Sequence, residues 1–370
     1  MLIEIALLAV ALLLILAAAV FFTNGVEHLG ERLNLGEAAV GSVLAAVGTA
    51  MPETLIPVVA ILLSKGAASD AIGLGAILGA PFMLSTLALT VTGVAAFVYA
   101  KRRDNGSTLL VRRGALVRDL AYFLSLFTLA VATAWLPAGP VRWGVCVILL
   151  GGYVKYVIAN LRENSASVEG REPLRLQSFW VRLSLTRLPE ETREAFLHRR
   201  RKCLEGCPHP VAITAQVILA LAIMLVGARM FVYHVEQIAA SLGVSGLVIA
   251  LLLAPVATEL PEKLNSVIWV RQGKEVLSLG NITGAMVFQS SIPATLGIAL
   301  TDWKLNDPAH GHAALISAGI ALTAATAVLL CARHRHHLDT ATDRTSLSPW
   351  VLLIGLPLYL LFIISVIFHW

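Results

Sequence analysis

Two short stretches of this 370-residue chain combine residue types that can hold a cation. They are Gly48-Thr49-Ala50-Met51-Pro52-Glu53-Thr54-Leu55 and Ala257-Thr258-Glu259-Leu260-Pro261-Glu262-Lys263-Leu264, which share Thr, Pro, Glu and Leu at a constant offset of 209. Proline has no N–H to donate, so Pro52 and Pro261 deprive the carbonyls of Gly48 and Ala257 of their helical partners. Those carbonyls, the hydroxyls of Thr49 and Thr258 and the neighbouring carboxylates are hard oxygen ligands, the kind that calcium, magnesium or sodium prefers. No Cys or His accompanies them, which disfavours a transition metal.

The setting makes these carboxylates costly. Hydrophobic residues form 57% of the chain and charged ones 14%, against roughly 25% charged in soluble proteins, and the mean hydropathy is +0.79. Apolar runs recur from Leu2–Phe22 to Val351–Phe368, each near the roughly 20 residues that cross a hydrocarbon core. The composition excludes a soluble globule and predicts an integral protein of the cell membrane. The runs are long and continuous, so helices are expected rather than the short alternating strands of a barrel.

Ten spans are predicted, near residues 2–23, 37–64, 70–99, 116–135, 141–160, 211–230, 243–270, 275–301, 311–331 and 349–368. Spans three and eight exceed the minimum length, so tilt or a break is expected there. The chain then divides into a first five-helix unit (1–160), a hydrophilic loop (161–210) and a second five-helix unit (211–370). With the amino terminus outside, 23 of the 28 Lys and Arg fall in inward-facing connections and only Lys65, Arg142, Arg229 and Lys304 face outward. This asymmetry obeys the positive-inside rule. The net charge of +5 is thereby explained by a lipid bilayer as partner, with no nucleic acid needed.

A second match joins the two halves. Asp70 to Thr86 aligns with Glu275 to Ser291 at an offset of 205, pairing Leu74-Gly75 with Leu279-Gly280, Ile77 with Ile282 and Gly79-Ala80 with Gly284-Ala285. Each copy holds five spans, an odd number, so the second must enter the bilayer from the other side. The fold class expected is an all-α polytopic membrane protein of about ten transmembrane helices in two inverted five-helix repeats, an arrangement that commonly puts a substrate site at mid-membrane between the copies.

Sorting the ionisable residues by depth sharpens the site. The ten histidines and seven aspartates fall in connections or near span ends. The deep charges are Glu53, Glu259, Glu262 and Lys263, each costing about 2.5–3.5 kcal/mol at mid-span on insertion scales. Lys263 could neutralise one glutamate as a buried pair, whereas Glu53 has no such neighbour in sequence. Glu259 and Glu262 lie at i, i+3 on one helix face, and two carboxylates so placed call for a counter-charge, a metal ion or a proton.

With these residues in place, the chain resembles the cation/calcium exchanger superfamily, integral membrane proteins of the sodium/calcium exchanger type. The resemblance covers both halves and is most specific in 48–86 and 257–291. It implies ten spans in two inverted repeats, with ligands from T-S-x-P-E and G-N-x-x-G-S-N motifs on spans two, three, seven and eight. Thr49, Glu53, Thr258 and Glu262 would be central ligands, and span eight keeps Gly280-Asn281-Ile282-Thr283-Gly284, with Asn281 as a candidate. The departures are specific. The Ser after Thr is Ala50 in one copy and Glu259 in the other; the first Asn of span three is Ala76; and the downstream Asn or Asp is Leu84 in one copy and Gln289 in the other. Several sodium-coordinating groups are thus absent and one carboxylate is extra.

The function expected is a secondary antiporter exchanging a divalent cation, with calcium favoured, for sodium or protons. These inorganic cations are cargo, and no resident cofactor is expected. A channel, or a cation-binding sensor that no longer transports, stays open beside it. An intramembrane hydrolase would need a nucleophile–base pair or metal ligands at depth; with no deep His or Asp expected, an enzyme is disfavoured. Cys203, Cys207 and His209 miss the usual zinc spacing, and Arg199-Arg200-Arg201-Lys202 reads as a topology signal.

Overall fold

The computed structural model describes residues 1–32, 51–64, 67–163, 174, 210–305, 311–334, 337–339 and 344–369. Cys203, Cys207, His209 and Arg199-Arg200-Arg201-Lys202 lie outside the described residues, as do Gly48 and Thr49.

Among the described residues, thirteen α-helical segments follow the apolar runs. They are α1 (Leu2–Arg32), α2 (Met51–Val58), α3 (Ala67–Met83), α4 (Leu89–Val98), α5 (Arg113–Ala132), α6 (Pro140–Glu163), α7 (Pro210–Leu242), α8 (Gly246–Thr258), α9 (Leu260–Arg271), α10 (Glu275–Leu300), α11 (Gly311–His334), α12 (Pro349–Leu352) and α13 (Gly355–His369). Among the described residues eight helical stretches are long and apolar enough to cross a membrane, and two shorter apolar helices, Met51–Leu63 and Gly246–Val256, stand where spans two and seven were expected. A small antiparallel sheet was not anticipated: β1 (Leu109–Arg112) pairs with β3 (Arg344–Leu347), which pairs with β2 (His337–Asp339). Strands of three or four residues are too short to announce themselves by alternation. They staple the connection after span three to that before span ten, with Leu109 opposite Leu347.

The breaks fall where the backbone chemistry forces them. α3 passes into α4 through a π-helical turn, Leu84–Ala88, and α2 ends in another, Val59–Leu63. Span eight, expected to tilt or break, is one unbroken α-helix of 26 residues with Pro293 inside it. The interruption lies instead in span seven. Glu259 leaves helical geometry (φ −90, ψ 5), and α9 restarts with Pro261 in its first turn, a position where the missing N–H costs nothing.

Packing shows the sense of the repeat. α1 and α7 lie antiparallel along their length: Glu4 Oε2 meets His234 Nδ1 at 2.6 Å near one end, and Gln216 Nε2 donates to Asn24 Oδ1 (3.0 Å) and Phe21 O (2.8 Å) near the other. α3 and α8 run parallel, because Gly75 rests on Leu247 and Gly79 on Leu251, both at a separation of 172. Span three can parallel span seven only if the second copy is inserted upside down. Span three is also the centre of the bundle, 94% buried, whereas the last span is 17% buried and faces outward.

The α3–α8 approach depends on the absence of side chains. A Cβ added at Gly75 would stand 2.2 Å from the Leu247 carbonyl oxygen, and one at Gly79 would stand 2.4 Å from that of Leu251. Neither backbone can yield cheaply, so Gly75→Ala is expected to lower stability by about 1–3 kcal/mol, the usual range for overpacking. Thermal unfolding in detergent checks this; an unchanged melting curve would show the two helices free to separate.

Candidate ion-binding site at the repeat interface

Each half contributes one acidic segment. α2 carries Glu53, 5% exposed, and the α8–α9 break carries Glu259 at 1% and Glu262 at 4%. These are the three deepest acidic side chains the sequence named, and the fold brings them together. The carboxylate of Glu53 feels the charge of Glu262 most strongly and that of Glu259 next, and Thr258 hydrogen-bonds to it. The Thr258 hydroxyl also lies 3.0 Å from the Ala254 carbonyl.

The break in span seven organises its share. Glu262 sits in the first turn of α9, where the partial positive charge of a helix N-terminus favours a carboxylate. α8 ends with one residue, Glu259, between it and the start of α9, and Pro261 supplies no N–H to Ala257. Half-helix ends of this kind serve anions with one terminus and cations with the other.

The four charges are not equivalent. Lys263 Nζ lies 3.2 Å from Glu259 Oε2 and also donates to the Pro255 carbonyl at 3.2 Å. Glu259 is therefore compensated from its own helix, while Glu53 and Glu262 confront each other across the repeats. Among the described residues, no three His, Cys, Asp or Glu side chains converge at metal-holding distance; the turn of Glu259 toward Lys263 accounts for part of that. Glu53 Oε2 and Glu259 Oε1 are buried without a hydrogen-bond partner. Such oxygens are expensive unless something positively charged meets them.

Span eight adds polar groups along the side of the break. Ser278 and Ser266 exchange hydroxyl-to-carbonyl bonds (3.1 and 3.4 Å), tying α10 to α9. Asn281 Nδ2 and Gln289 Oε1 are buried and unpartnered. Leu84, the counterpart of Gln289, opens the π-helical turn of span three, so the two copies differ in shape at this position as well as in chemistry. π-bulges recur at functional sites.

Two buried carboxylates were not evident from sequence, Glu275 at the start of α10 and Asp119. Asp119 was placed near a span end, yet it lies inside α5 at 4% exposure and accepts from the Thr283 hydroxyl at 2.7 Å. Its position only seven residues into the helix hid it. The pairing with span eight, 164 residues on, is visible only in three dimensions.

The profile of the sodium/calcium exchanger protein family matches residues 3–162 and 212–368. The chain belongs to that family. Its members are membrane exchangers rather than enzymes, and the match stops on either side of the hydrophilic loop. A putative antiporter, CaxA of Alkalimonas amylolytica, is 36% identical over 85 residues, a stretch spanning 23% of this chain and 26% of that protein. Inner membrane protein YrbG of Escherichia coli K12 is 25% identical over 316 residues, 84% of each chain. Among solved structures, the H+/Ca2+ exchanger CAX aligns over 98% of this chain and 89% of its own with a TM-score of 0.60 at 14% identity. The sodium-calcium exchanger NCX_Mj covers 98% of both chains with a TM-score of 0.55 at 19% identity. These likenesses establish the exchanger fold, with its two inverted repeats, for this chain.

Proposed function

We propose that this protein is a secondary antiporter that moves a divalent cation, calcium, against sodium or protons. The observation that carries the reading is the charge balance of the buried cluster. Three carboxylates (Glu53, Glu259, Glu262) and one ammonium (Lys263) leave a formal charge of −2 buried among the helices. A bare charge of that size is costly to carry through low dielectric. One divalent cation neutralises it, and so do two monovalent cations or two protons. The site therefore crosses loaded with either cargo and resists crossing empty, which is the requirement for exchange rather than leak.

The ligands offered to calcium are Glu53 and Glu262, with Thr49, Thr258 and the carbonyls of Gly48 and Ala257 completing an oxygen shell, and with Asn281 and Gln289 from span eight. Glu259, held by Lys263, tunes the charge. Both related solved structures are calcium exchangers by name, one with protons and one with sodium. The replacement of the motif's Ser and Asn groups by Ala50, Ala76 and Leu84 favours protons over sodium here.

Purified protein in liposomes is expected to take up calcium against an imposed outward gradient of protons or sodium. Calcium binding without flux would identify a sensor, and a flux tracking single-channel conductance a channel; either result overturns the antiporter reading. Orientation is a separate expectation. With the amino terminus outside, a cysteine replacing Arg142 is labelled by an impermeant maleimide added to intact cells and one replacing Lys101 is not. The reverse pattern inverts the topology.

A further inference from the structure

Span eight presents opposite faces to two different environments, and the residue setting its rotation lies outside the charge cluster. The Ser266–Ser278 exchange marks the side of α10 turned toward α9. At about 100° per residue, Ala285 and Gln289 fall within about 20° of Ser278 and Asn281 within about 60°. Thr283 falls about 140° away, on the back. There its hydroxyl meets Asp119 Oδ2 at 2.7 Å, with the Leu279 carbonyl at 3.0 Å.

We propose that Asp119 is a positioning residue for the cation-facing side of span eight, acting through Thr283 to fix the roll of α10. A neutral or apolar contact would hold the helices together at less cost. A carboxylate acceptor adds direction, since charge-assisted hydrogen bonds are shorter and about twice as strong as neutral ones. Asp119 is itself held: Arg118 Nε stands 3.6 Å from its Oδ1, the Tyr156 hydroxyl reaches it from α6, and Arg118 Nη2 donates to Asn160 Oδ1 at 2.6 Å. The peg is thus braced by α6 before it engages α10. Nearby, a Cβ added at Gly284 would stand 3.5 Å from the Tyr156 hydroxyl oxygen, so α10 passes close to the same brace. A turn of α10 by one residue's angle, about 100°, would swing Gln289 away from α9 in either sense.

The proposal rests on span eight facing the cation site, and its test is separable from the exchange reading. Cysteines replacing Ser266 and Ser278, in a chain with Cys146, Cys203, Cys207 and Cys331 changed to Ala, should cross-link readily on mild oxidation whether or not the protein transports anything. Thr283→Val, which keeps volume but removes the donor, is expected to cut the cross-linking rate at least fivefold; Thr283→Ser should restore it. In liposomes Thr283→Val and Asp119→Leu should raise the half-saturating calcium concentration about tenfold while maximal rate changes less than threefold, and Asp119→Asn, which retains an acceptor oxygen but not its charge, should fall between these and the parent. Unchanged cross-linking in folded Thr283→Val overturns the proposal, as does a Thr283→Ser variant as impaired as the valine. If the valine variant does not fold, the comparison is made with Thr283→Ala, and parent-like cross-linking there overturns it equally.

Discussion

Glu53→Gln abolishes exchange: calcium flux in liposomes falls at least about 100-fold while the protein stays folded. The reasoning starts from charge. Glu53 is buried, and the nearest charges it faces are the like charges of Glu262 and Glu259. A divalent cation about 4 Å from a carboxylate gains about 8 kcal/mol at an effective dielectric of 20, and even about a third of that retained after desolvation approaches 100-fold in affinity. Glutamine is isosteric and keeps an oxygen, but it changes the formal charge of the cluster from −2 to −1. A divalent ion would then leave an excess positive charge. Removing one of three repelling carboxylates should not destabilise the fold, so the melting temperature in detergent is expected to hold or rise while transport disappears. A variant that exchanges at the parental rate would show the cargo passing elsewhere.

Arg103→Met is expected to be the most destabilising single change in the connections between spans. Arg103 follows span three and Glu275 opens α10. Both are buried; Arg103 Nε donates to Glu275 Oε1 at 3.2 Å and a second guanidinium nitrogen grips the same oxygen. Arg103 also donates to the Thr108 carbonyl at 2.7 Å and the Ala96 carbonyl at 3.4 Å. Removing one partner of a buried pair leaves an uncompensated charge, typically a loss of about 3–5 kcal/mol. Replacing both partners by apolar residues of similar volume often restores or exceeds the original stability. The double variant Arg103→Met, Glu275→Leu should therefore melt closer to the parent than either single variant. Equal losses for all three would mean that the backbone bonds of Arg103 carry the effect rather than the charge pair.

The two predictions draw on features of different legibility. Glu53, Glu259 and Glu262 could be found from sequence because a carboxylate inside an apolar run is expensive, and the doubled Thr-x-x-Pro-Glu marks it twice. The duplicated Gly-x-x-x-Gly was equally plain, since small residues at helical spacing signal close approach. Arg103 and Glu275 were not paired, because each sits at the polar margin of a span where charges are ordinary. Asp119 was missed for the same reason. The short sheet at Leu109–Arg112, His337–Asp339 and Arg344–Leu347 lay in connections whose pairing is nonlocal. The helix break came at Glu259 rather than in span eight, since excess length can be absorbed without interrupting a helix.

Sequence alone determined the membrane setting, the number of spans, the antisymmetric duplication and the acidic residues at its centre. Each follows from hydropathy, charge and repeat spacing, which are local or periodic quantities. Tertiary structure alone decided which carboxylate Lys263 neutralises, that Glu53 confronts Glu262 across the two copies, and that Asp119 reaches Thr283 on the side of span eight away from its contact with α9. These depend on helix direction and rotation, set by backbone contacts such as Gly75 on Leu247, and a difference of one residue's angle in the roll of a helix leaves the hydropathy of its span unchanged.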